Sequence, residues 1–168
     1  EDEQARLVGV HYLGIVCASV LLRQPLDGYY VTNLLDPGLP FTGVIEMSAL
    51  VRSQRFGGRG LVYLPRYVAP DDAFLDLPDA DVQAHFLAGL ARVYPTVRAS
   101  DVLAFKVSRA RLVMPLPTLG YSLRVPPTQT SVPGLHLVNS SQILNGTLNV
   151  NETVLLAERA AERFAGLQ

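Results

Sequence analysis

VGVHYLGIVCASVLL, residues 8 to 22, decides the fold. Val8, Val10, Ile15, Val16, Val20, Leu21 and Leu22 make it apolar and rich in β-branched residues, with Tyr12 and Gly14 between. Such side chains pack well on a pleated surface, so the run predicts a long strand, bent at Gly14. His11, Cys17 and Ser19 interrupt it and Arg23 ends it, which does not suit a membrane span. Pro25-Leu26-Asp27-Gly28 has turn chemistry. Tyr29 to Leu34 then reads as a second strand, antiparallel to the first because the connection is short. After Asp36-Pro37-Gly38, Thr42 to Leu50 reads as a third strand. Gly57-Gly58-Arg59-Gly60 turns the chain into a fourth, Leu61 to Val68, where Pro65 marks an edge or a bulge.

Further along the chain the period changes. Asp76, Pro78, Asp79 and Asp81 supply helix-start chemistry, and Val82, Phe86, Leu90 and Val93 recur at helical spacing, predicting a helix from Asp79 to Tyr94. Ser100 to Met114 reads as extended. Pro115, Pro117, Pro126, Pro127 and Pro133 make the next stretch a loop. Leu135 to Asn139 reads as a short strand and Ser140 to Leu148 as a polar loop. Asn149 to Phe164 reads as an amphipathic helix with Val150, Val154, Ala157, Ala161 and Phe164 on one stripe. Asn149 with Glu152 three residues on is a capping-box pattern. The fold class is therefore α+β, a mostly antiparallel sheet with packed helices.

Composition narrows the function. The 168 residues are 49% hydrophobic and 17% charged, which excludes a disordered tail. One cysteine, Cys17, excludes a disulfide framework. A net charge of -1 with arginines scattered along the chain gives no footprint for nucleic acid. The chain opens Glu1-Asp2-Glu3 with no basic leader, and neither a signal peptide nor a transmembrane segment is read, so a cytoplasmic location is expected.

Most tempting residues have plain readings. His11, His85 and His136 lack metal-ligand spacing, so no metal site is expected. Cys17 reads as a buried, inert thiol. No G-x-S-x-G elbow supports a hydrolase, and no catalytic residue is singled out. The sequons at Asn139, Asn145 and Asn151 read as chance in a Ser/Thr/Asn-rich stretch. Tyr29 and Tyr30 can line a cavity, but the commoner role of such residues is that of core tyrosines with one wet hydroxyl. Glu46 stands in an apolar strand and must be paired, protonated or cavity-facing; a salt bridge to Arg52 or Arg66 and a substrate role are equally compatible.

Residues 133 to 164, PGLHLVNSSQILNGTLNVNETVLLAERAAERF, resemble the C-terminal flavin-contacting segment of the flavin amine oxidase and phytoene desaturase superfamily. Pro133-Gly134-Leu135 and Ala157-Glu158-Arg159-Ala160-Ala161 match its "PGL-strand, loop, helix, A-x-x-A-A" pattern. Tyr12 to Cys17, Tyr29-Tyr30, Pro40 to Glu46 and Leu61 to Pro65 are similar to substrate-domain strands of protoporphyrinogen-oxidase-like members. Those members carry His-Thr after the position of Glu46, where this chain has Met47-Ser48.

The resemblance implies a substrate-binding domain over residues 1–132 and the last strand–loop–helix of an FAD-binding domain over 133–168. It places Gly146, Thr147, Leu148, Asn149, Val150 and Asn151 at the flavin. It makes Tyr12, Tyr30, Asn33, Glu46, Tyr63 and Tyr121 the substrate-side candidates. The G-x-G-x-x-G unit that grips the dinucleotide is absent from these residues, so the chain is expected to be the C-terminal part of a longer oxidoreductase. Alone it is expected to be inactive and to hold FAD weakly. The expected partners are a small-molecule substrate and the missing dinucleotide-binding segment, and the last helix is expected to leave an apolar stripe open to self-association. The rival reading is a non-enzymatic binding or interaction domain with an apolar face.

Overall fold

The computed structural model describes residues 2–166, which divide into two compact units. One is Gly14–Leu112; the other joins the chain up to Leu13 with the chain from Val113 onward.

In chain order the elements are α1 (Asp2–Val8), β1 (Tyr12–Leu22), β2 (Val31–Asn33), β3 (Gly43–Glu46), α2 (Met47–Leu50), β4 (Gly60–Val68), α3 (Asp79–Val93), β5 (Val102–Pro115) and α4 (Val150–Ala165). The five strands form one sheet in the order β2-β3-β4-β1-β5. β1 pairs antiparallel with β4, β4 with β3, and β3 with β2. The architecture is α+β, as the sequence predicts.

Several elements differ from the sequence reading. Val8 closes a helix and the strand starts at Tyr12. β2 does not pair with β1, although only a short turn separates them; β4 and β3 lie between. A short connection favours pairing, but β1's long apolar edges take the nine-residue β4 instead, which buries more than three-residue β2 can. The 42–50 run splits: its strand ends at Glu46 and Met47–Leu50 coils into one helical turn. The 135–139 run makes a lone bridge, Gln129 to His136, because no longer neighbour among the described residues offers it a ladder.

Pro65 sits on β4 opposite Cys17, inside the sheet and not at its edge. Its carbonyl accepts the Thr42 N–H at 2.9 Å, on the β3 side. The N–H and C=O of one strand residue point the same way, so the donor that proline lacks is one β1 never needed.

The core of the Gly14–Leu112 unit lies between α3 and one face of the sheet. β1 alternates strictly, with Val16, Ala18, Val20 and Leu22 buried and their neighbours half-buried. Val62 and Leu64 of β4 and Val44 of β3 join them under Val82, Phe86 and Leu90 of α3. Each buried valine, leucine or phenylalanine among them contributes roughly 1.5–3 kcal/mol by leaving water. Phe86 meets Phe41 edge-on at 5.6 Å and stacks on Phe74 at 5.8 Å. The Arg66 guanidinium lies over Phe74 at 4.4 Å and donates to the Pro40 carbonyl. Glycine is needed at position 89, where a Cβ would stand 2.5 Å from Pro40 Cδ. Among the described residues no helix is long and apolar enough to cross a membrane.

Candidate functional site

The C-terminal corner is built from residues 121 to 165. Its anchor is a short turn, Ser140–Gln142. Asn139 Oδ1 accepts the Ser141 N–H and hydroxyl, and Gln142 Oε1 accepts the Asn139 N–H, a complete capping box. Gln142 Nε2 donates to the carbonyls of Pro126 and Leu137, both at 3.1 Å. Ser141 is 1% exposed, and its carbonyl accepts the Tyr121 hydroxyl at 2.8 Å. Burial lifts the Tyr121 phenol above the usual tyrosine range, and the nearby Tyr12 phenol adds to the rise. The sequence singles out Tyr121 as a substrate-side residue but not the cap it ties to, although Asn-Ser-Ser-Gln at 139–142 carries the same cap signal as Asn149 to Glu152.

Residues 144 to 147 are exposed. Asn149 caps α4, accepting the Glu152 N–H at 2.9 Å, while its carbonyl takes the Thr153 hydroxyl at 2.8 Å. Only half of the expected box forms here. The Glu152 side chain folds over Gly146 instead, within 2.8 Å of where a Cβ would stand. The cap leaves the Val150 and Asn151 N–H groups at the open end of the helix dipole, and Val150 is 77% exposed.

α4 rests on its unit through Glu152, Leu156, Ala160 and Phe164, four residues apart; the Phe164 ring lies 4.4 Å from His136. The other apolar positions point outward, with Val154 49% exposed and Ala157 and Ala161 exposed. A cavity of about 300 Å³ lies beside α4, between Pro126, Val138, Leu144 and the guanidinium-bearing Arg159 and Arg163.

The substrate-side candidates do not share one place. Directly opposed residues of antiparallel strands lie on one face, so register sorts them. Tyr63 stands opposite Ser19 and Ile45, on the sheet face turned away from α3. Asn33, opposite Gly43, shares the parity of Val31 and belongs to that face too. Glu46 stands opposite Val62, which is fully buried, and so lies on the core side. Its carboxylate is 2% exposed and accepts the Leu26 N–H at 3.0 Å, the Gly28 N–H at 3.1 Å and the Ser48 hydroxyl at 2.9 Å. Neither Arg52 nor Arg66 pairs with it; the 25–28 turn does. Tyr30 is exposed and accepts the Glu46 N–H through its own carbonyl. Tyr12 and Tyr121 belong with the C-terminal corner.

No protein-family model matches this sequence, and no curated protein does. Solved structures do match. An oxidoreductase from Methanosarcina mazei superposes with a TM-score of 0.65 at 20% identity, over 95% of this chain and 36% of that one. Reduced UDP-galactopyranose mutase superposes with a TM-score of 0.57 at 11% identity, over 72% of this chain and 26% of that one. At such identities the likeness is one of fold. The chain has the fold of part of that oxidoreductase and spans about a third of its length.

Proposed function

We propose that this chain is the substrate domain, with the flavin-facing corner, of an FAD-dependent oxidoreductase of the amine oxidase and phytoene desaturase kind. The observation that carries the reading is the uncovered N-terminus of α4, with Val150 and Asn151 N–H groups unclaimed by the Asn149 cap. It supports the resemblance of residues 133–164 to a flavin-contacting segment. Two fold neighbours add weight, since one is an oxidoreductase and the other was solved in a reduced state.

The residues present fit one end of the cofactor. Unpaired N–H groups and the positive end of α4 suit a ring carbonyl that gains negative charge on reduction. A dinucleotide grip is not among them. FAD, when bound, would supply the hydride acceptor, taking hydride from a C–H bond as the adjoining C–N or C–C single bond becomes a double bond and the second hydrogen leaves as a proton. The chain's own part is positional. Asn149 holds the first turn of α4 in register, and the Asn139–Gln142 box with Tyr121 fixes the loop that leads to it. The outward stripe of Val150, Val154, Ala157 and Ala161 is the seat of the dinucleotide-binding segment.

The test is purification of the protein expressed from its whole reading frame. A yellow protein that releases FAD on denaturation is the expected result. A colourless protein that takes up no added FAD would overturn the reading in favour of a non-enzymatic binding domain.

A further inference from the structure

We propose that the cavity beside α4 binds an amphipathic anion, a short acyl carboxylate whose head lies between Arg159 and Arg163. The inference goes beyond the oxidoreductase reading and does not depend on it.

Helix geometry brings these two arginines together. Leu156 and Arg163 stand two turns apart on α4, and Arg159 one turn before Arg163, so both rise beside the packed side of the helix. The stripe of Val150, Val154, Ala157 and Ala161 runs along the opposite side, so the two surfaces are separate. Both arginines line the cavity of about 300 Å³, whose apolar wall includes Pro126, Val138, Leu144 and Leu156.

Most other surface arginines that touch a neighbouring element are paired. Arg23, Arg92, Arg109 and Arg111 meet Asp101, Asp36, Asp79 and Asp76. Among the described residues Arg159 and Arg163 join no such pair, and the cavity wall holds no carboxylate. Glu152 lines an adjoining cavity of about 170 Å³ with Arg159, but its carboxyl is folded against Gly146. Glu158 and Glu162 are exposed and do not line the wall. Two like charges one turn apart repel and weaken the helix, and an anion seated between them removes that repulsion.

The other polar side chains of the wall are already used. Gln142 Nε2 donates to the carbonyls of Pro126 and Leu137 and reaches the Thr128 hydroxyl at 3.3 Å. The donors left open are guanidinium N–H groups, whose fork matches a carboxylate. The apolar wall asks for more than a charge. A small hydrated anion would cover it without dispersion contact, whereas a chain of methylenes releases its water. The volume lies at the small end of ligand pockets, which suits a short chain and not a long lipid.

The test is isothermal titration of octanoate, octan-1-ol and acetate into the protein expressed from its whole reading frame. Saturable octanoate binding is expected, with octan-1-ol and acetate each weaker by about tenfold or more, since one lacks the charge and the other the chain. Arg159→Gln and Arg163→Gln should each weaken octanoate by about tenfold and leave octan-1-ol unchanged. A merely structural role would move both ligands together. Both arginines are exposed, so the variants should fold, and circular dichroism checks this. Arg59→Gln, an exposed position outside the cavity, should change nothing. Octanoate should also raise the melting temperature of the wild type but not of the double variant. Octan-1-ol binding as tightly as octanoate would overturn the proposal in favour of a purely apolar cleft. Acetate binding as tightly would reduce it to loose attraction of ions by surface arginines. Absence of saturable octanoate binding, or equal binding by the double variant, would overturn it as well. Flavin uptake plays no part in these outcomes.

Discussion

The Tyr121 hydroxyl donates to the Ser141 carbonyl at 2.8 Å, tying the start of a proline-rich loop to the turn that precedes α4. Tyr121→Phe removes the donor and leaves a buried carbonyl unpaired. The expected loss is about 1–3 kcal/mol in urea denaturation.

The same pair gives a pH dependence. The folded Tyr121 phenol ionises above its ordinary value of 10.0, first because it is buried. Its contribution is therefore complete below the unfolded value and is lost as pH rises through the folded one. Denaturation midpoints should fall above pH 10, and Tyr121→Phe should flatten that fall. An identical alkaline profile in the variant would remove Tyr121 from the account.

Glu46 holds the 25–28 turn through two backbone donors and Ser48. Glu46→Ala orphans these donors and opens a void, at an expected cost of about 2–4 kcal/mol. Glu46→Gln retains one acceptor and should cost less. If Glu46 served substrate alone, both variants would unfold at the wild-type urea midpoint.

Gly89 lets α3 meet Pro40 and Phe41. Alanine is the better helix former by about 1 kcal/mol, but its methyl would overlap the Pro40 ring. Overpacking should win, leaving Gly89→Ala less stable by about 1–2 kcal/mol net. A raised melting temperature would show that Pro40 yields.

Val150 and Val154 give α4 an uncovered apolar stripe. Val154→Glu should reduce self-association in sedimentation experiments at low protein concentration without lowering helix content. On the proposed reading, in which this stripe seats a dinucleotide-binding segment, the same change in the whole protein should speed flavin loss. Unchanged sedimentation and flavin retention together would remove the stripe from any interface.

Much of this was legible in the sequence because period is local. The apolar, β-branched run of β1 and the helical recurrence of Val82, Phe86 and Leu90 are properties of the local sequence. So are the start of α3, the extent of β5 and the cap at Asn149. The α+β class needed nothing more.

Only the tertiary structure decided which strands meet and which way each side chain faces. Glu46 and Ile45 are adjacent in an apolar run, yet one pins a turn on the core side and the other joins Tyr63 on the outward face. A strand's alternation says that neighbours face opposite ways, but not which way; that is set by the partner strand and by the helix covering one side. The 135–139 run likewise has strand composition but only one bridge, because pairing needs a neighbour as well as a propensity. Local spacing is fixed by the covalent chain, whereas orientation and pairing are fixed by contacts between residues far apart along it.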